Sequence, residues 1–122
     1  MYKIRKTLEV SASHKLNLDY DSPCGNLHGH NYIITIYLRA NKLNQNGMVM
    51  DFAEIKKRIH NFFDHKNLND IVEYNPTAES MAHHIATRLH VDRTVADQER
   101  GLCCYRVDVE ETRGNIATWE RD

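Results

Sequence analysis

Two pairs of strand-like segments enclose a central stretch of helical periodicity, and that order leaves few ways to fold 122 residues. In residues 2–10, Ile4, Leu8 and Val10 fall on one face and Lys3, Arg5, Thr7 and Glu9 on the other. That is the period of a strand, although Lys6 interrupts the apolar face. A loop with Pro23 covers residues 19–25. Residues 30–39, rich in β-branched and aromatic side chains, read as a second strand, and residues 41–47 as a turn region. Asp51 stands as an N-cap with Glu54 three residues on, a variant of the capping box. Phe52, Ile55, Ile59 and Phe62 then recur at helical spacing. A polar loop holds residues 64–70. Thr77 caps a second helix whose stripe is Met81, Ala82, Ile85, Ala86 and Leu89. Residues 91–101 read as a long polar connection. Residues 104–111 alternate again, with Tyr105, Val107, Val109 and Glu111 on one face. Arg113-Gly114-Asn115 marks a tight turn before a short last strand over 116–119.

Blocks of strands around a block of helices argue for an α+β fold with an antiparallel sheet of four strands and two helices. Such a set buries one sheet face. The length is that of a single domain, residues 1–122. A net charge of −1, with charges of both signs mixed along the chain, gives no basis for a nucleic-acid or anionic membrane partner. No window approaches the roughly 20 apolar residues of a membrane span, and the first residues lack the apolar stretch of a secretory signal. Cys24, Cys103 and Cys104 are an odd set with an adjacent pair, a poor disulfide framework. A reducing, cytoplasmic setting follows.

Chemistry-bearing side chains gather at His14 and in Cys24-Gly25-Asn26-Leu27-His28-Gly29-His30. Residues two apart on an extended segment point to one face. His28 and His30 could therefore bind one ion, with Gly29 leaving room for close approach. His14, on a neighbouring segment, could supply a third nitrogen. Three histidines and an open position are the pattern of a catalytic zinc site, and no second cysteine pair is present to close a zinc-finger shell. Histidines near one another are more often surface or loop residues, so the flanking pattern matters.

That pattern, Val10-Ser11-Ala12-Ser13-His14-Lys15-Leu16 followed by Cys24-x-x-x-His28-Gly29-His30-Asn31-Tyr32, resembles the 6-pyruvoyltetrahydropterin synthase family. The three residues between Cys24 and His28 resemble its 6-carboxytetrahydropterin-forming branch, which serves queuosine and deazapurine biosynthesis. The resemblance runs from about residue 4 to residue 119. It implies the T-fold, whose sheets join across subunits of a homo-oligomer, a hexamer or tetramer, into a barrel. It implies Zn2+ on His14, His28 and His30, and a pterin substrate.

The same resemblance assigns the remaining candidates. Cys24 would be a catalytic thiolate whose pKa a nearby dication lowers, or else a fourth zinc ligand. Asp64-His65-x-x-Leu68-Asn69-Asp70 matches the family run whose aspartate and histidine assist the cysteine, and the family places this pair across a subunit boundary from the zinc. The residues by themselves fit equally a helix end where His65 meets the macrodipole. Glu111 matches the pterin anchor: its two oxygens suit the N3-H and 2-amino donors. Thr77 in Asn75-Pro76-Thr77-Ala78-Glu79 matches a pterin-contacting position, and Ala78 replaces a second hydroxyl residue found in many relatives. The reaction implied is conversion of 7,8-dihydroneopterin triphosphate to 6-carboxytetrahydropterin, with release of acetaldehyde and triphosphate. An enzyme that stops at 6-pyruvoyltetrahydropterin is one alternative, and a non-catalytic pterin- or metal-binding module another.

Overall fold

The computed structural model describes residues 1–122. Strand β1 (Tyr2–His14) is followed by a single 3-10 turn (Pro23–Gly25) and strand β2 (His28–Ala40). Helix α1 (Phe52–Phe63), the two-residue strand β3 (Lys66–Asn67), and helices α2 (Leu68–Ile71), α3 (Ala78–Val91) and α4 (Val95–Glu99) come next. Strands β4 (Cys103–Thr112) and β5 (Asn115–Glu120) close the chain. The sheet order is β3-β1-β2-β4-β5, antiparallel except for the β1–β3 pair. The architecture is the expected α+β one, with more pieces. The added strand, β3, has two residues and is too short to carry a pattern, and the helices number four where two were expected. Helix α4 lies inside the stretch read as a polar connection, and it forms because Thr94 and Asp97 make a full capping box.

One sheet face carries the core. Val10, Ile34, Ile36, Val107 and Val109 meet Ile55, Ile59 and Phe63 of α1 and Met81, Ile85 and Leu89 of α3. The α3 stripe is the expected one. The α1 stripe is not: Phe63 is buried, whereas Phe52 is exposed. Residues 55, 59 and 63 follow an i, i+4 row that faces β1, and Phe62 lies at its margin. Asp51 caps α1 through the Ala53 N–H at 2.8 Å, but Glu54 does not complete a capping box, because its carboxylate accepts from Arg58 Nε at 3.1 Å.

A β-bulge also changes the face assignment in β4. The β2–β4 register shifts between Tyr37 and Leu38, which pair with Arg106 and Cys104. Tyr105 is the extra residue, so Cys104 rather than Tyr105 joins Val107 and Val109 in the core. The displaced Tyr105 ring lies 6.0 Å from that of Tyr37, under Lys3 and Arg39. Burial pushes the Cys104 thiol up to about 12.

The 41–50 loop is fastened by Arg100, which is buried and donates to the Val49 carbonyl at 2.7 Å and to Asp97 at 3.1 Å. Gly101 beside it has φ +73, and a Cβ there would sit 2.6 Å from Asn41 Nδ2.

Candidate metal centre and active site

The β1–β2 ladder builds the centre. His14 pairs directly with His28, and Ala12 with His30. Directly opposed residues of an antiparallel pair share a face, so all three rings project to the core side, at the end of the sheet. His14 is fully buried and the other two are half-buried. Ring centroids lie 4.6, 5.0 and 4.8 Å apart, and one nitrogen from each ring lies within 4.8 Å of the others.

The outer nitrogens settle the tautomers. Nδ1 of His14 donates to the Pro76 carbonyl at 2.7 Å, and Nδ1 of His28 to the Asn26 carbonyl at 2.7 Å. Each Nε2 then carries a lone pair, and those two Nε2 atoms face each other at 3.0 Å. His30 Nε2 is buried without a hydrogen-bond partner. Lone pairs so placed repel one another, and a cation at their focus removes the conflict. Burial holds the His30 imidazole below its usual range; Glu111 opposes that shift, and His14 and His28 add to it. Three imidazole nitrogens at one focus suit a divalent transition ion. The Tyr32 hydroxyl sits 3.2 Å from His14 Nδ1, and burial keeps that phenol protonated well above its ordinary range. Gly29 is not required by sterics within the chain: a Cβ there would meet the Ala12 carbonyl at 3.7 Å, an ordinary contact.

Glu111 reaches the same focus. The β4–β5 register is irregular between Glu110 and Thr112. The Glu111 carboxylate approaches His30 Nε2 to 3.5 Å and His14 Nε2 to 3.9 Å. Glu110 turns away and accepts from the Gly114 N–H at 3.3 Å, across the hairpin turn. A cleft of about 390 Å³ opens beside Glu111, lined also by Ala78, Glu79, Asn115, Ile116 and Ala117. Thr77 stands at the N-terminus of α3 and its polar groups are committed. Its hydroxyl accepts from the Ser80 N–H at 3.1 Å, its N–H donates to Asn75, and its carbonyl accepts from Met81.

Asp64 and His65 face each other although adjacent in sequence. His65 Nδ1 lies 2.8 Å from Asp64 Oδ2. Asp64 Oδ1 accepts from the Ser11 N–H at 2.9 Å, and the His65 N–H donates to the Ser11 carbonyl at 2.6 Å, with His65 at φ +56. The Ser11 amide is the main reason the Asp64 carboxyl sits below its usual range; burial opposes it, and His65 and His60 assist. The His65 ring is 82% exposed and borders a polar cleft of about 450 Å³ with Ser11, Ser13, Asn31 and Lys66. Cys24 lies in the 3-10 turn, exposed, with its sulfur outside the cluster of converging nitrogens. The chain thus joins the three histidines to Glu111, and Asp64 to His65, and His30 and His65 border one cleft. The Pro76 and Asn26 carbonyls had no signal in the sequence. Tyr32 did: it is two residues beyond His30, on the same face.

The family description "6-pyruvoyl tetrahydropterin synthase" matches residues 3–122. A Bacillus subtilis protein named 6-carboxy-5,6,7,8-tetrahydropterin synthase is 28% identical over 91% of this chain and 80% of its own length. A putative 6-carboxy-5,6,7,8-tetrahydropterin synthase of Archaeoglobus fulgidus is 35% identical over 80% of this chain and 79% of its own. A putative 6-pyruvoyl tetrahydrobiopterin synthase of Caenorhabditis elegans is 31% identical, covering 90% and 88%. The solved structure of Caenorhabditis elegans 6-pyruvoyl tetrahydropterin synthase superposes with a TM-score of 0.75 at 28% identity, covering 99% of this chain and 96% of that one.

Proposed function

This chain belongs to the 6-pyruvoyl tetrahydropterin synthase family, and from that premise we propose that it is a zinc-dependent lyase of a single domain, residues 1–122. It converts 7,8-dihydroneopterin triphosphate, with uptake of water, to 6-carboxy-5,6,7,8-tetrahydropterin, acetaldehyde and triphosphate, in the cytoplasm and on the way to 7-deazapurines. The observation that carries this reading is the convergence of the His14, His28 and His30 nitrogens beside the Glu111 cleft. Those three imidazoles would hold zinc, whose chemistry when bound is to polarise a side-chain oxygen and acidify the neighbouring C–H. Glu111 accepts from the pterin's N3-H and 2-amino group and fixes the ring. Thr77, its hydroxyl held by Ser80, stands at the start of α3 next to Ala78 of that cleft and helps hold the pterin. Cys24 takes up the proton from carbon. Asp64 orients His65 through its Nδ1, so that His65 passes protons on.

We read the chain as one copy of a homo-oligomer, in which the exposed His65 of one copy, with Asp64, serves another copy's metal. The short interval from Cys24 to His28 and the names of the Bacillus and Archaeoglobus relatives favour the 6-carboxy product. The Caenorhabditis relative, at comparable identity, keeps 6-pyruvoyltetrahydropterin as the second reading. Mass spectrometry of the products formed from 7,8-dihydroneopterin triphosphate decides. A 6-carboxy product with acetaldehyde is expected. A 6-pyruvoyl product establishes the second reading, and intact substrate leaves only a binding module.

A further inference from the structure

We propose that Asn69 and Asn75 are positioning residues that set the place of Cys24, an inference that rests on the catalytic reading of Cys24 above. Strand β1 ends at His14, yet the backbone of each of the next three residues is still hydrogen-bonded. Asn69 Oδ1 accepts from the Lys15 N–H at 2.8 Å, and Asn69 Nδ2 donates to the Lys15 carbonyl at 3.0 Å. Asn75 does the same two residues on. Its Oδ1 accepts from the Asn17 N–H at 2.8 Å and its Nδ2 donates to the Asn17 carbonyl at 3.2 Å. A primary amide offers a donor and an acceptor side by side, the same pair a peptide group offers. Two side chains therefore stand in for a neighbouring strand that is absent here.

Alternation fixes what lies between them. Lys15 and Asn17 present their main-chain groups to the asparagines, so Leu16 presents its own to the opposite side. There the Leu16 N–H donates to the Cys24 carbonyl at 2.9 Å. Within the 3-10 turn, Cys24 and Gly25 bond back to Ser22, at 3.2 and 3.0 Å. The Leu16 bond is thus the backbone link from the thiol's turn to β1, and the asparagines hold Leu16 in register. Asn75 also precedes Pro76, whose carbonyl orients the His14 ring. A single segment thereby references both the imidazole and the thiol turn. This gives a physical task to the asparagines of Leu68-Asn69-Asp70 and Asn75-Pro76-Thr77.

The test uses the full-length, zinc-loaded protein, with Asn69→Ala and Asn75→Ala and the shape-preserving Asn69→Asp and Asn75→Asp, which keep the acceptor and lose the donor. Leu16 amide exchange should quicken about tenfold in the alanine variants as its opening becomes local. The rate of Cys24 alkylation by iodoacetamide, followed against pH, should change several-fold with a displaced midpoint, because the thiol leaves its set environment. Zinc content should hold in the Asn69 variants, and kcat should fall with KM little changed. The aspartate variants should fall between parent and alanine. Unchanged Leu16 exchange and an unchanged Cys24 pH profile in both alanine variants would overturn the proposal. Should an alanine variant not fold, the aspartate variant is read by the same two measurements. Neither needs substrate, so absence of lyase turnover in the parent would sink the proposed function and leave this inference to be decided by exchange and alkylation.

Discussion

His30 Nε2 is buried, unpartnered and 3.5 Å from a carboxylate, a condition that a folded protein does not leave without cause. With the His14 and His28 nitrogens at the same focus, the first expectation is a compositional one. His28→Ala and His30→Ala should each lose most of the bound zinc and nearly all turnover while the fold survives, since the site does not hold the core together. Elemental analysis that found full occupancy in either variant would remove the histidines from the metal. Cys24→Ala should keep its zinc, because the sulfur is not part of the converging set. Glu111→Gln tests recognition. The glutamine amide would turn a donor toward the pterin's own donors, and a charge-assisted bond contributes roughly 1.5–3 kcal/mol, so affinity should fall about tenfold to a hundredfold. Glu110→Gln should be nearly silent, because that side chain accepts from Gly114 on the other side. Calorimetry on both variants reads the difference, and a reversed pattern would reassign the anchor.

Among the elements, the strands and the two long helices were legible because their burial is periodic. The α3 stripe of Met81, Ala82, Ile85, Ala86 and Leu89 is buried as the pattern implies. What was not legible is whatever breaks a period. Tyr105 alternates correctly with Val107 in sequence, and the bulge opposite Tyr37 and Leu38 sends it out and Cys104 in. Helix α4 is five residues long, too short for a periodic stripe, and is announced by its cap alone. In the site, the histidines showed through their spacing on a strand, whereas their carbonyl partners at Pro76 and Asn26 are main-chain groups that any residue supplies. Two glycines separate steric from conformational demand. Both Gly101 and Gly114 have positive φ, but a Cβ at Gly114 would meet nothing, and one at Gly101 would collide with Asn41. Gly114→Ala should cost about 1–2 kcal/mol from backbone conformation alone. Gly101→Ala adds to the same conformational cost that of swinging the exposed Asn41 side-chain amide aside. Urea unfolding of the two variants gives the comparison, and equal costs would mean that Asn41 yields freely.

For the whole molecule, the shifted histidines and aspartates act in one direction. Burial, with Arg88 and His83 beside it, lowers the pKa of His84, and burial with Arg93 and Arg121 lowers that of His90. Both take up a proton less readily when folded, so around their ordinary value of 6.5 the unfolded chain binds more protons. Asp64, Asp97 and Asp108 likewise have lowered pKa values; Asp64 owes this chiefly to the Ser11 amide, and hydrogen bonds outweigh burial at Asp97 and Asp108. Their contribution is complete above the ordinary carboxyl value and is lost as pH falls through the folded one. Stability should therefore decline on acidification in two stages, the first beginning near the ordinary histidine value and the second below the ordinary aspartate value. Denaturant midpoints measured from pH 8 down to pH 3 would show it, and a flat profile between pH 7 and pH 5 would contradict the histidine stage.

The bond from His14 to the Pro76 carbonyl has a further effect at this scale. Its acceptor immediately precedes Thr77, the residue that caps α3. An ion that fixes the His14 ring also fixes the chain entering that helix, and a ligand bound by the folded state alone raises stability by mass action. Metal load and the melting of the first turn of α3 are then one coupled equilibrium. The helix becomes an internal gauge of occupancy: chelation should release amide protection at Ser80 and Met81 before it reaches Ile85, and restoring the ion should return it in the opposite order.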